Sequence, residues 1–284
     1  MSENKKYTIA YQGAPGAFSH LASQRFTASF LKDHSVTFAP KSSFEDVFEH
    51  ASSVENGLAC VPFENSTVGS IIQNYQLLWI SDLKIFSELT LPIHHQLLAL
   101  PGTRMEDVID VYSHPVALDQ CKRIFHEHSW MKAQIYFDTG AAARLIKEEK
   151  RKNAAAIASL QAADEYGLEV IAPDIEDFHQ NQTRFVLIGL DSSLAENNPK
   201  VPYKVSIAIE PGEDLNAIEA YAPLLSKSFK LAKIESIPVP ERPFQFRLFL
   251  DFVVHSEEAR SQAKKSLQAF SGTKAYGSYC SLVQ

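Results

Sequence analysis

Two short runs of the chain combine neutral hydroxyls, an amide and one fixed cation. Gln182-Thr183-Arg184-Phe185 opens one short apolar strand, and Glu64-Asn65-Ser66-Thr67 follows another. Groups of this kind at strand ends can grip an anionic metabolite in a cleft through preorganised hydrogen bonds. No nucleotide or metal motif accompanies them, so the pattern predicts chemistry without a cofactor.

Three further stretches accompany these runs. They are Gly13-Ala14-Pro15-Gly16-Ala17-Phe18-Ser19, Ser113-His114-Pro115 followed by Gln120-Cys121, and Ala154-Ala155-Ala156-Ile157-Ala158. Each motif is weak by itself, but five of them in this order and at this spacing resemble the prephenate dehydratase family. The likeness continues to the C-terminus.

The resemblance implies a lyase of L-phenylalanine biosynthesis whose substrate is prephenate. The substrate loses carbon dioxide from its ring and hydroxide from the opposite ring carbon, which gives phenylpyruvate. The resemblance assigns Thr183 to the leaving hydroxyl. A threonine holds its proton too tightly to be a strong acid, so we expect it to supply a preorganised hydrogen bond.

The substrate-binding candidates lie where strands end and helices begin. They are Ala17, Phe18, Asn65, Ser66, Thr67, Ser113, Thr139, Arg184 and Phe185. Arg184 could pair with a substrate carboxylate or with an internal acid such as Asp177, and the residues leave both open. The family more often has threonine or serine at the position of Ala17, so only a backbone contact is expected there.

The histidines are interpreted as structural. His114 lies in a family motif, and we expect it to make a structural hydrogen bond rather than to act as a general acid. The pair His94-His95 has no carboxylate or cysteine at ligand spacing, and strand alternation sends the two rings to opposite faces, so no metal site is predicted.

The order of strand-like and helical runs predicts an α/β fold. By the resemblance, residues 1–190 form a two-lobed catalytic domain, like periplasmic binding proteins, with a central cleft. Lobe 1 takes about residues 7–82 and 180–190, and lobe 2 about 83–179, with crossings near 83 and 175. A linker at 191–202 leads to a ferredoxin-like βαββαβ ACT regulatory domain at 203–284.

Local signals refine this plan. Ser43, with Asp46 three residues later, predicts a helix N-terminus. One helix is expected from Pro115 through His126, and a short buried strand at Leu58 to Val61.

The ACT-like region departs from its family at the expected effector site. Candidate allosteric residues are Gly212, Leu215, Glu235 and Ser236, but Glu213 and Asp214 replace an Ala-Leu pair, and Ile237 replaces an arginine. We therefore expect inhibition by L-phenylalanine to be weakened or altered in specificity. Pairing at the sheet edge predicts a homodimer or homotetramer.

Composition bounds the remaining possibilities. The 284 residues carry a formal net charge of −7, which disfavours a nucleic-acid-binding surface. No apolar run is long enough for a membrane span, and the three cysteines form no CxxC pair. With no apolar signal segment at the N-terminus, we expect a cytoplasmic protein.

Two alternatives stay open from the sequence. Arogenate dehydratase would act on the analogue in which an amine replaces the keto group, and no single residue decides between the substrates. A non-enzymatic protein that binds small anions would share the two-lobed cleft.

Overall fold

A computed structural model describes residues 5–191, 194, 203–209, 229–256, 258, 261 and 273–282. The strands are β1 Lys6–Gln12, β2 Ser35–Lys41, β3 Gly57–Asn65, β4 Gly69–Ser70, β5 Lys84–Pro92, β6 Gln96–Ala99, β7 Asp110–Ser113, β8 Lys132–Ile135, β9 Ala154–Ala158, β10 Glu169–Ala172, β11 Gln182–Gly189, β12 Tyr203–Ile209, β13 Phe229–Pro238, β14 Phe246–Val254 and β15 Thr273–Leu282. The α-helices are α1 Phe18–Ser29, α2 Phe44–Ser53, α3 Ile72–Ile80, α4 Pro115–Gln120, α5 Lys122–Glu127, α6 Thr139–Glu148 and α7 Leu160–Tyr166.

These strands form two sheets, as the predicted α/β class with two lobes requires. The larger sheet has the order β13-β14-β12-β15-β5-β11-β3-β1-β2, with β4 paired to β3, and the smaller has the order β10-β6-β9-β7-β8. Buried apolar side chains cover both faces of the central strands; β9, for example, is buried at every position. The two-lobed fold class is confirmed.

The chain crosses between the lobes later than the sequence indicated. β5 pairs antiparallel with β11 and therefore belongs to the first sheet. The outgoing crossing consequently lies at residues 93–95 rather than near 83, and the return crossing runs from residue 173 to residue 181. The sequence prediction failed here because the alternating pattern of β5 does not indicate which sheet accepts it.

The C-terminal strands follow the ferredoxin-like order. β12 lies between β14 and β15, and β13 forms the outer edge. The βαββαβ order also predicts two helices, at 215–225 and 257–270; the first lies outside the described residues and the second almost wholly outside them. β15 pairs parallel with β5, which joins the C-terminal strands to the sheet of the first lobe.

Local predictions have mixed outcomes. The Ser43 side chain accepts a hydrogen bond from the Asp46 N–H at 3.1 Å and starts α2, as predicted. The helix expected from Pro115 through His126 is instead broken at Cys121, whose backbone leaves the helical region. The sequence pattern also missed β2 and α7, and β3 is longer than predicted. No helix of the described residues is long and apolar enough to cross a membrane.

Candidate active site

A cleft of about 570 Å³ lies between the two lobes. Six of the predicted site residues line it: Ala17, Phe18, Asn65, Thr139, Thr183 and Phe185. Ser66, Thr67, Ser113 and Arg184 do not. Its lining also lacks lysine and arginine among the described residues, so an anion there must be held by neutral donors and helix termini.

The turn before α1 explains why the first motif is rich in small residues. Gly16 has a φ of +83°, and a Cβ there would lie 2.7 Å from the Cα of Ala162 in the second lobe. The Ser159 hydroxyl donates to the Gly16 carbonyl at 2.6 Å. Only glycine permits this approach, so the turn packs the two lobes together at one end of the cleft.

The N-terminus of α1 opens onto the cleft. Ala17 is its N-cap and offers no side-chain hydrogen bond, whereas α2 and α6 are capped by Ser43 and Asp138. The first backbone N–H groups of a helix have no partner within the helix. This terminus can therefore receive a carboxylate through the N–H groups that follow Ala17. The backbone contact expected at Ala17 itself is corrected, because its N–H donates to the Ala14 carbonyl at 3.0 Å.

Thr183 lies opposite Asn65 on paired strands, which brings both side chains to the cleft. The Asn65 amide donates to the Thr183 hydroxyl oxygen at 2.9 Å. The hydroxyl proton of Thr183 finds no acceptor among the described residues. A hydroxyl that already accepts a hydrogen bond keeps its own proton to donate, so Thr183 can offer that proton to a bound molecule.

In the loop after β3, Val68 lines the cleft, but Ser66 and Thr67 do not. Thr67 donates through its hydroxyl to the Asn65 side-chain oxygen at 2.7 Å. Ser66 receives the Gln182 N–H at 2.9 Å and lies outside the cleft lining. The predicted substrate contacts of Ser66 and Thr67 are therefore corrected: both side chains are used in holding the loop and strand together.

Ser113 also has a structural role. It is fully buried at the end of β7 and donates to the Ile157 carbonyl at 2.6 Å, which ties two neighbouring strands. Its predicted substrate contact is therefore corrected as well. His114 is the N-cap of α4 and accepts from the Val116 N–H at 3.3 Å, the structural hydrogen bond that was predicted. Burial lowers its pKa, although Asp138 nearby opposes the effect.

Arg184 points away from the cleft. Its guanidinium contacts Glu88 at 2.7 Å and Asp251 at 2.7 Å, and donates to the Tyr279 hydroxyl at 3.0 Å. Lys204 also pairs with Glu88, at 2.7 Å. We call these five residues the Arg184 cluster; they join β5 and β11 to the C-terminal strands.

The Arg184 cluster excludes the predicted substrate contact of Arg184 and also its pairing with Asp177. Asp177 instead accepts from the backbone N–H groups of Lys122 and Arg123 at the start of α5. Burial alone would lower the pKa of Arg184, but Asp251, Tyr279 and Glu88 raise it well above its usual value. The arginine is a permanent internal cation.

The C-terminal strands also contact the end of β3 and β4. Lys233 pairs with Glu64 at 2.8 Å, and Ser70 donates to Glu235. Glu235 is thus used within the molecule, and Ile237 is fully buried in the apolar core that it shares with the first lobe. Gly212 and Leu215 lie outside the described residues.

His94 has carboxylates beside it that sequence spacing did not reveal. Its Nδ1 lies 2.7 Å from Glu176 and 4.0 Å from Asp174, and the ligand atoms of these three residues lie within 4.8 Å of one another. His179 also contacts Glu176, at 3.4 Å. The expectation that no carboxylate lies near this histidine pair was therefore wrong at His94. The fold packs the return crossing, with Asp174 and Glu176, against the outgoing crossing.

Among the residues of the cleft lining that were not predicted as site residues are His95, Gln120 and Asp138. Gln120 stands in a motif that resembles the family's, which was a usable signal. Asp138 is the N-cap residue before Thr139, and a helix cap can be recognised from sequence. Alternation along the crossing sends His95 and His94 to opposite sides. Neither the cap nor the alternation indicates a function by itself.

The family model described as prephenate dehydratase matches residues 9–193. Prephenate dehydratase from Methanocaldococcus jannaschii is 33% identical over 266 residues, which cover 92% of this chain and 93% of that protein. Arogenate dehydratase/prephenate dehydratase 1 from Arabidopsis thaliana is 33% identical over 287 residues, which cover 94% of this chain and 70% of that protein.

Solved structures agree in fold. Prephenate dehydratase from Arthrobacter aurescens, in complex with L-Phe, superposes with a TM-score of 0.81 at 26% identity, covering 96% of this chain and 90% of that one. GqqA, described as a novel type of quorum quenching acylase, gives a TM-score of 0.80 at 26% identity, covering 96% and 98%. With the family model matched over most of the chain, and relatives one third identical along nearly all of it, the chain belongs to the prephenate dehydratase family.

Proposed function

We propose that this protein converts prephenate to phenylpyruvate through Thr183. The observation that carries the proposal is the geometry of that hydroxyl: Asn65 occupies its acceptor position at 2.9 Å, and its proton is left to face the cleft. In the reaction, the carbon–carbon bond to the ring carboxylate breaks and its electron pair enters the ring. The carbon–oxygen bond on the opposite ring carbon breaks as charge develops on the departing oxygen.

Thr183 stabilises that developing charge by hydrogen bonding, while the N-terminus of α1 holds a carboxylate. Removing one such preorganised donor from a dry site costs about 2.7–4 kcal/mol of transition-state stabilisation. Phe18 and Phe185 supply apolar walls for the ring. No charged residue of this chain has to deliver a proton in the step.

The direct test is phenylpyruvate formation from prephenate by the purified chain. Saturable turnover supports the proposal, and stoichiometric binding of prephenate without turnover would leave only an anion-binding protein. The assay should be repeated with a substrate of a quorum quenching acylase, since GqqA is described as one. Turnover of that substrate without turnover of prephenate would reject the proposal.

Arogenate is a second candidate substrate, and Asp138 favours it. Asp138 is buried in the cleft lining, and its Oδ2 has no hydrogen-bond partner among the described residues. The ammonium of arogenate would supply a counter-charge that the keto group of prephenate lacks. Asp138→Asn should then reduce kcat/KM for arogenate more than for prephenate; equal losses would exclude this role.

L-phenylalanine is proposed as an effector through the C-terminal region. The relative from Arthrobacter aurescens is described with L-Phe bound. The burial of Ile237 in the shared core supports the expectation of an altered response, since an arginine cannot be placed there without a partner. β13 is an edge strand, which supports assembly as a homodimer or homotetramer. Calorimetry with L-phenylalanine alongside the activity assay tests whether this effector binds and whether it inhibits.

A further inference from the structure

A continuous chain of side-chain hydrogen bonds crosses the cleft and ends at Thr183. It begins at His95 on the outgoing crossing, whose Nε2 lies 3.0 Å from the Gln120 Oε1. Gln120, on α4 of the second lobe, donates to the Thr67 hydroxyl at 2.8 Å. Thr67 donates to Asn65 at 2.7 Å, and Asn65 donates to Thr183 at 2.9 Å. We call these five residues the relay.

Backbone groups fix the direction of the relay at Asn65. The Asn65 Oδ1 accepts from the backbone N–H of Thr67 at 2.9 Å and from that of Val68 at 3.0 Å. Since a backbone N–H can only donate, the amide oxygen must face this loop. The amide nitrogen must therefore face Thr183, where it also donates to the side-chain oxygen of Asn181 at 2.8 Å.

The direction then passes from residue to residue. The Thr67 hydroxyl faces the Asn65 oxygen and must donate to it, so its own oxygen is left to accept from Gln120. The amide nitrogen of Gln120 is consequently turned toward Thr67 and its oxygen toward His95. An oxygen acceptor requires a proton on the His95 Nε2, which leaves a lone pair on Nδ1.

The surroundings of His95 agree with this tautomer. Its Nδ1 is buried and has no hydrogen-bond partner among the described residues. A buried lone pair without a partner costs less than a buried N–H without one. Burial also lowers the pKa of His95, although Gln120 and Glu176 oppose that effect, so the ring is neutral at physiological pH.

We infer that Gln120 is a positioning residue for the dehydration step, an inference that rests on the proposed function of Thr183. Gln120 is the relay residue that the second lobe contributes. Its hydrogen bond to Thr67 therefore forms at the cleft, where the two lobes meet. It holds the Thr67 hydroxyl toward Asn65, and Asn65 in turn fills the acceptor position of Thr183. Hydrogen bonds in such a series polarise one another, which strengthens the final donor.

Substituting Gln120 by glutamate keeps its shape and reverses its role toward Thr67. An ionised glutamate can only accept, so the Thr67 hydroxyl would turn away from Asn65. A protonated glutamate can donate, as the amide does. Several titratable and charged groups surround position 120, and all of them are present in every variant below. They are His95, His114, Asp119, Cys121, Lys122, Arg123, Glu176 and Asp177.

The experiment measures kcat and KM for prephenate between pH 5 and 9 in wild type, Gln120→Glu and Gln120→Ala. Gln134→Glu is the matched control, because Gln134 lies on β8 away from the cleft and contacts Asp110. We expect Gln120→Glu to lose about tenfold in kcat at pH 8 and to regain much of it as the pH falls. Gln120→Ala should stay low at every pH, with its loss in kcat rather than in KM, while Gln134→Glu follows wild type.

Parallel pH profiles for Gln120→Glu and Gln120→Ala would overturn the inference, because a merely structural contact would not respond to the glutamate proton. Wild-type kcat in Gln120→Ala would overturn it too. Long-range proton–nitrogen NMR of the His95 ring provides a readout that needs no turnover. A proton on Nε2 in wild type, with the preference lost in Gln120→Ala, supports the relay, and a proton on Nδ1 in wild type rejects it.

Failure of the proposed function would be visible separately. A wild-type chain that turns over neither prephenate nor arogenate rejects the function of Thr183, whatever the NMR result. An active wild-type chain with the wrong His95 tautomer rejects the relay alone.

Discussion

Thr183 and Arg184 are neighbours on β11, yet they serve two regions of opposite character. Thr183 faces the cleft in a network of neutral amides and hydroxyls, whereas Arg184 faces the C-terminal strands in a cluster of buried charges. Strand alternation alone sends the two side chains to opposite sides. One short motif therefore carries the candidate chemistry on one face of the strand and holds two parts of the molecule together on the other.

Loss of a contact affects the reaction rate in one region and the stability of the fold in the other. A neutral donor aimed at a reacting oxygen affects the transition state and has little effect on folding. A buried charge that loses its partner destabilises the folded state, because the remaining charge stays out of water. Variants in the two regions should therefore separate kcat from the free energy of unfolding.

The largest expected effect is on stability at Arg184. Arg184→Gln leaves Glu88 and Asp251 buried with one cation fewer, so we expect a loss of about 3–5 kcal/mol in the free energy of unfolding. Urea denaturation followed by circular dichroism measures it. Arg104→Gln is the matched control, since Arg104 pairs with Asp107 on the surface and should change stability by less than about 1 kcal/mol. Equal effects of the two variants would contradict the structural role of Arg184.

Asn65 should show the opposite pattern. As a substrate-binding candidate that contacts a carboxylate, Asn65 would affect mainly KM. Its hydrogen bond to Thr183 instead predicts a loss of about 10- to 100-fold in kcat for Asn65→Ala. Steady-state kinetics with prephenate separates the two parameters. An increase in KM at unchanged kcat would restore the binding role.

Glu176 offers a smaller effect that depends on pH. Burial would raise its pKa, but hydrogen bonds from His94 and from the His95 N–H lower it below the usual 4.5. A carboxyl whose pKa is depressed in the folded state stabilises the protein above its unfolded pKa and loses that contribution as the pH falls through the folded value. Wild type should therefore lose more stability than Glu176→Gln when urea titrations are carried from pH 6 to pH 3. If the free energy of unfolding fell equally with pH in both proteins, Glu176 would make no pH-dependent contribution to stability.

The smallest effect is expected at Ser66. Its hydroxyl accepts the Gln182 N–H but does not line the cleft, so Ser66→Ala should leave KM for prephenate within about twofold and cost about 1 kcal/mol of stability. Kinetics and a urea titration on the same preparation check both values. A large rise in KM would return Ser66 to the substrate site.

The sequence predicted the fold class, in part through the family resemblance, and it placed Thr183 and the run Glu64-Asn65-Ser66-Thr67 at the ends of two strands that contribute to one cleft. Strand alternation also implies that Arg184 points to the side of the sheet opposite to Thr183. Its partners Glu88 and Asp251 could not be predicted, because tertiary packing brings them to it. The contact of Gln120 with Thr67 depends on how the two lobes meet. His94 and Glu176 are 82 residues apart, so spacing along the chain could not reveal their contact.

The central claim is that the Thr183 hydroxyl stabilises the departing oxygen, and kcat for prephenate in Thr183→Val tests it most directly. Valine keeps the shape and removes the hydroxyl, so kcat should fall by about 10²–10³-fold with a smaller change in KM and unchanged unfolding, while Thr183→Ser keeps most of the activity. A folded Thr183→Val protein whose kcat stays within about twofold of wild type would contradict the account.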